Sequence, residues 1–191
     1  NQSICATTAT MTANTAAVGT GTWTQESGPN TATITDASLN NTTITGLIQG
    51  TYIFKWSISN GSCSPSSSLV TINVSENPTI ANAGANQILC NVTSLSLNGN
   101  NPSIGNGIWT LVNGPNTPVF VNNNLYNTDV NGLINGTYTF KWSISNGVCP
   151  VSESQVTIAN NQLPSIADAG ANQNLCNVSS TILDANINYS P

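Results

Sequence analysis

GLIQGTYIFKWSISNG (46–61) and GLINGTYTFKWSISNG (132–147) differ at only two positions, and the step from 46 to 132 is a shift of 86 residues. So close a match at so long a spacing is an internal repeat, which makes the chain a string of similar modules. In the second copy Tyr138, Phe140, Trp142 and Ile144 alternate with Thr139, Lys141, Ser143 and Ser145. A period of two is that of a strand with one face in a core and the other in solvent. Asn146-Gly147 closes it, a pair suited to the positive φ of a tight hairpin, and SESQVTI (152–158) is the returning strand. The first copy reads alike, with Tyr52, Phe54 and Trp56 facing inward.

Outward from this hairpin the 86-residue shift holds. Trp23 returns as Trp109, SGPNT (27–31) as NGPNT (113–117), and ANAGANQILC (81–90) as ADAGANQNLC (167–176), while NQSIC (1–5) matches the end of that segment. SLSLNGN (94–100), GIWTLVNGP (107–115) and PVFVNN (118–123) supply three more strands between Gly-Pro and Asn-rich turns. No stretch shows a helical period. Roughly seven strands in under about 100 residues predict an all-β chain of tandem Ig-like β-sandwich modules. The expected division is repeat 1 over 1–77, its first strand incomplete, repeat 2 over 78–163, and the truncated start of repeat 3 over 164–191.

The succession of ANAGANQ, a GxW strand, SGP or NGP, GLxxGTYxFxWxISNGxC and a closing VTI strand resembles the PKD-like and Ig-like repeats of giant surface proteins of the Bacteroidota. The likeness covers the whole chain. It implies a bacterial cell-surface adhesin outside the cell, and for some such proteins a mobile adhesin of gliding bacteria exported by the type IX secretion system.

Composition excludes several functions. The chain has 191 residues, 38% of them hydrophobic, with 2 Lys+Arg, 7 Asp+Glu, no His and a net charge of −5. At 5% charged it lies far below the roughly 25% of an ordinary domain, so Asn, Thr, Ser and Gly carry its solubility. Lys55 and Lys141 are too few to bind nucleic acid or an anionic membrane surface, and no apolar run reaches the length of a spanning helix. Residue 1 opens within a polar, strand-like segment without a signal peptide, which reads as the interior of a longer protein. Without His or Arg no nucleophile has an ordinary base, so neither an enzyme nor a cofactor is expected. The carboxylates are scattered, and Asp168, a candidate calcium ligand near the second linker, has Asn82 at the matching place in the first. It reads as a turn residue, with no metal expected.

Cys5, Cys63, Cys90, Cys149 and Cys176 recur at matching places without a CxxC pair, which points to structural disulfides and an oxidising compartment. Two connectivities are open. Pairing within modules joins Cys5 to Cys63 and Cys90 to Cys149, leaves Cys176 to a later partner, and stabilises each module by about 4 kcal/mol. Pairing between modules, for example Cys5 to Cys149, makes a stiffened rod. The first is expected, since each whole repeat holds its own two cysteines, although it needs Cys90 well back along the first strand to bring the Cα atoms within about 7 Å. Trp23, Trp56, Trp109 and Trp142 read as core rather than as a sugar-stacking platform, and Tyr52 and Tyr138 as tyrosine corners. Asn-x-Ser/Thr sequons at Asn41, Asn60, Asn91 and Asn135 follow from composition. An ice-binding solenoid would need a far shorter repeat.

The expected role is the stalk or fibre of an adhesin. Its partners are further repeats of the same chain, with lateral packing of fibres at apolar positions such as Ile53 and Val119. Linkers NVSENP (73–78) and ANNQLP (159–164) are short and end in Pro, which restricts bending. The alternative is a glycan-binding or accessory module of a secreted polysaccharide-degrading protein, with its site in the divergent loops 24–45 and 110–131.

Overall fold

A computed structural model of the chain describes residues 1–185. Every regular element among the described residues is a strand. The first sandwich comprises β1 (Gln2–Ile4), β2 (Thr8–Thr10), β3 (Thr20–Ser27), β4 (Thr33–Ile34), β5 (Thr43–Thr45), β6 (Gly50–Ser59) and β7 (Ser66–Val74). The second repeats it with β8 (Gln87–Cys90), β9 (Ser94–Ser96), β10 (Asn106–Asn113), β11 (Val119–Phe120), β12 (Asp129–Asn131), β13 (Gly136–Ser145) and β14 (Ser152–Asn161). The sheets run in the order β1-β7-β6-β3 and β2-β5-β4 in the first, and β8-β14-β13-β10 and β9-β12-β11 in the second. This is the tandem Ig-like, PKD-like sandwich. The strands β5 and β12 are not legible as alternating runs because each is three residues long.

Each module buries its own core, and the two cores share no residue. Tyr52, Phe54 and Trp56 on β6 and Tyr138, Phe140 and Trp142 on β13 point into them, as do Trp23 on β3 and Trp109 on β10. The register sets Trp23 opposite Trp56 and Trp109 opposite Trp142, with ring centroids 5.2 and 5.1 Å apart. This tilted packing of the two indoles explains the GxW motif. A Cβ on Gly21 or Gly107 would lie 2.0 Å from the ring of Trp56 or Trp142, so only glycine admits the second indole. Ile53 is half-buried where it lies between Thr71 and Ser27 on the neighbouring strands, whereas Val119 is exposed.

The first strand of each module runs parallel to its last, and this pairing places the cysteines. It sets β1 on β7 with Ile4 opposite Val74, and β8 on β14 with Cys90 opposite Asn161. The first-strand cysteine therefore lies where the chain leaves its module. No strand forms between residue 162 and residue 185, and residues 186–191, the end of the expected third repeat, lie outside the described residues.

Candidate functional site

The junction between the modules is held by a disulfide and by hydrogen bonds to the linker. Cys5 is disulfide-bonded to Cys149 across 144 positions of sequence, with Cα atoms 5.0 Å apart. This corrects the expected pairing of Cys5 with Cys63 and Cys90 with Cys149. Cys5 and Cys90 sit at the exit end of their modules, whereas Cys63 and Cys149 follow the β6–β7 and β13–β14 hairpin turns at the entry end. A ten-residue strand separates the two ends by roughly 33 Å, far beyond disulfide reach. Cys63, Cys90 and Cys176 are free and exposed.

The linker is fastened on both sides of the bond. Ser75 N–H donates to the Ile4 carbonyl at 2.9 Å, which ties the start of the linker to β1. The Asn146 side-chain amide donates to the Glu76 carbonyl at 2.7 Å, so the turn of module 2 holds the linker directly. Pro78 is buried, and Thr79 N–H reaches the Ile104 carbonyl at 3.0 Å. Beyond it Ala81 and Ala83 donate their N–H groups to the hydroxyls of Ser152 and Ser154 on β14, at 2.8 and 3.1 Å. A recess of about 470 Å³ on the module 1 side is lined by Cys5, Leu47, Val74 and Asn77 among others. Sequence reasoning places Asn146 in the hairpin turn and Ser75 and Glu76 in the linker, but it does not bring the turn and the linker together. The available signal is the SNG turn, invariant between the repeats.

The remaining candidate residues are structural. Tyr52 and Tyr138 are fully buried; their hydroxyls accept the N–H of Ile48 and Ile134 at 2.9 Å and donate to the side-chain carbonyls of Asn30 and Asn116. Those asparagines in turn donate to the Gly46 and Gly132 carbonyls at 2.9 and 2.8 Å. The SGPN and GLxxGTY motifs are thus two halves of one corner lock. Asp168 and Asn82 accept the N–H of Gly170 and Gly84, each at 2.9 Å, so both shape the same turn. No cluster of three or more possible metal-ligating side chains occurs among the described residues.

The lysines differ in partner. Lys55 pairs with Glu26 at 2.7 Å on β3, and Lys141 with Glu153 at 2.9 Å on β14. The ammonium hydrogen bond is the main cause holding each carboxyl below the usual glutamate range, with help from the Thr24 hydroxyl at Glu26 and the Ser143 hydroxyl at Glu153.

Residues 2–74 match the K319L-like PKD domain. The solution structure of the PKD domain from the KIAA 1837 protein is 28% identical over 45% of this chain and 91% of its own, with a TM-score of 0.40. The fibronectin(III)-like modules of Clostridium thermocellum CbhA are 13% identical over 84% of this chain and 89% of theirs, with a TM-score of 0.42. The titin I-band fragment I67–I69 is 14% identical over 85% of this chain and 62% of its own, with a TM-score of 0.47. No curated protein sequence matches the chain. A PKD-like sandwich carrying a disulfide is an extracellular domain of structural or adhesive type.

Proposed function

We propose that the chain is a non-catalytic extracellular repeat region forming the stalk or fibre of a bacterial cell-surface adhesin, its modules stapled end to end. The observation that carries this reading is the Cys5–Cys149 bond. A disulfide inside a module strengthens that module and leaves the joint free. A disulfide between modules restricts the joint, and a restricted joint matters to a protein whose task is reach. Strands of roughly ten residues give each module about 30 Å of length. The resemblance to surface repeats of the Bacteroidota supplies the setting: a gliding-type adhesin exported by the type IX system. Low charge and the exposed Val119 and Val121 suit side-by-side packing of such fibres.

A glycan-binding accessory module draws less support, because among the described residues every large exposed hydrophobic side chain is aliphatic and the tryptophans are buried. Small-angle X-ray scattering of the chain before and after mild reduction tests the stalk. The oxidised chain should give one extended, narrow distance distribution, and the reduced chain a broader one with a shorter mean. Coincident distributions would show that the bond does not govern reach and would sink the proposal.

A further inference from the structure

We infer that Cys63 and Cys90 are the open halves of two further staples, and that the partner of each is another module of this same kind, joined tip to tail. This rests on the stalk reading above and extends it to how the stalk continues.

The tip is already in bonding shape. SNGSCS (59–64) and SNGVCP (145–150) differ at two positions, and Gly61 and Gly147 share a φ of 57°. Cys63 N–H donates to the Asn60 carbonyl at 3.1 Å, as Cys149 N–H does to the Asn146 carbonyl at 3.1 Å. Cys63 therefore stands on the turn that presents the bonded cysteine in module 2. The tail is preformed too. Cys5 follows β1 and Cys90 ends β8, each strand parallel to the last strand of its module, and NQSIC (1–5) and NQILC (86–90) differ at two positions. Pro78 and Pro164 close linkers of equal span, 73–78 and 159–164.

Covering is what separates the used from the unused halves. Cys149 is 6% exposed against module 1, whereas Cys63 lies open. The Cβ position of Gly147 falls 2.6 Å from the Ser75 hydroxyl, and that of Gly61 meets nothing within 4 Å. The bare tip at one end and the bare tail at the other are thus the two faces of the contact already made in the middle. A contact between two unlike faces leaves one of each free after every addition, and it propagates as a filament unless its rotation closes a ring. Each new bond removes two protons and two electrons from a pair of thiols, which a disulfide oxidant such as glutathione disulfide takes up in becoming two thiols.

The test uses the whole chain in a Cys176→Ser background, so that one tip thiol and one tail thiol remain, with glutathione disulfide as oxidant. The parent should give a ladder of covalent multiples on a non-reducing gel, with a Cys63–Cys90 peptide by mass spectrometry. Cys63→Ser and Cys90→Ser chains should each stay monomeric alone, and their equimolar mixture should stop at the dimer. A Cys5–Cys149 peptide retained in every variant shows that the fold is intact. Bonds of Cys63 to Cys63 or Cys90 to Cys90, a Cys63–Cys90 bond within one chain, or glutathione adducts without a ladder would each overturn the inference. Such a failure leaves the stalk reading standing if scattering still responds to reduction, so the two fail separately.

Discussion

The hairpin tips of the two modules are built from nearly one sequence, yet one is covered and the other bare. In module 2 Ser143, Ile144 and Cys149 are buried; in module 1 Ser57 and Ile58 are half-buried and Cys63 is exposed. The turn geometry does not differ, so the contrast belongs to the neighbours: Cys5 of module 1 is bonded to Cys149, and Ile144 shares its core with Ala81 and Ala83 of the segment that enters module 2, which has no counterpart in module 1 of this chain. A cysteine in such a repeat is therefore a statement about the interface rather than about the module that carries it.

The largest expected effect comes from breaking that interface. By the loop-entropy estimate a bond closing 144 positions is worth about 5 kcal/mol against a chain unfolded throughout. Cys5→Ser should remove it, lowering the denaturant midpoint of module 2 and making Cys149 reactive to a thiol reagent after mild unfolding. A Cys63→Ser chain should unfold like the parent, since Cys63 is unbonded in this chain. Equal losses from the two variants would erase the distinction between the tips.

A smaller effect separates the tip glycines. An alanine at either position must take a left-handed backbone, at about 1–2 kcal/mol. Gly147→Ala meets the Ser75 hydroxyl in addition, whereas Gly61→Ala meets open space. Gly147→Ala should therefore cost more, by under about 1 kcal/mol because the serine can rotate, and Ser75→Ala should abolish the excess. A double-mutant cycle by urea unfolding reads the difference. An excess that survives Ser75→Ala would locate its origin outside the contact.

These contrasts mark where sequence reading stops. Alternation exposes β6 and β13, and the matched shift of Trp23 and Trp109 places the paired indoles, because both signals are local or repeat within one module. The disulfide partner is not legible for a reason the repeat itself creates: every module holds one tip and one tail cysteine, so pairing within and between modules gives the same spacing pattern. Only the parallel run of β1 on β7 and β8 on β14 decides, and strands of three and four residues carry too little alternation to announce it. Position 74 adds a second example. Val74 is part of the module 1 core, while Asn160 at the matching place is buried and satisfied by hydrogen bonds to Val92 and the Ile134 carbonyl, a substitution no periodicity anticipates.

The indole pairs differ between modules as well. Trp109 and Trp142 donate Nε1–H to the carbonyls of Tyr126 and Asn100, both at 3.2 Å, whereas the buried Nε1 atoms of Trp23 and Trp56 meet no acceptor. A buried donor left unpaired costs about 1–3 kcal/mol. Replacing Trp by Phe removes ring volume in either module, but it also removes a made bond at Trp109 and an unmade one at Trp23. Trp109→Phe should thus be the more destabilising by about 1 kcal/mol. Equal losses in calorimetry would mean that the Trp23 donor finds a partner in solution.

Acid offers the mildest contrast. In module 1 the Asp36 carboxyl is lowered chiefly by the Ser38 hydroxyl and then by the Ser38 N–H, and Glu26 is lowered chiefly by Lys55. Module 2 has Asn122 at the place of Asp36, holding the Asn124 N–H at 3.0 Å in the same turn without a titrating group, and keeps only Glu153 with a resolved shift. A carboxyl whose pKa falls on folding adds stability above its unfolded value, near pH 4, and loses that contribution as pH drops through the lower folded value. Module 1 should therefore weaken more than module 2 as pH falls below about 4, with all three groups exposed enough to keep the loss small. Asp36→Asn should bring its acid response toward that of module 2. Added salt should shrink the Glu26–Lys55 and Glu153–Lys141 parts, and it should leave the Asp36 part nearly unchanged, because a hydroxyl and an amide bring no net charge for ions to screen. Residue-resolved NMR titration of the carboxyls distinguishes the three, and an Asp36 that titrates at its ordinary value would remove the difference between the modules.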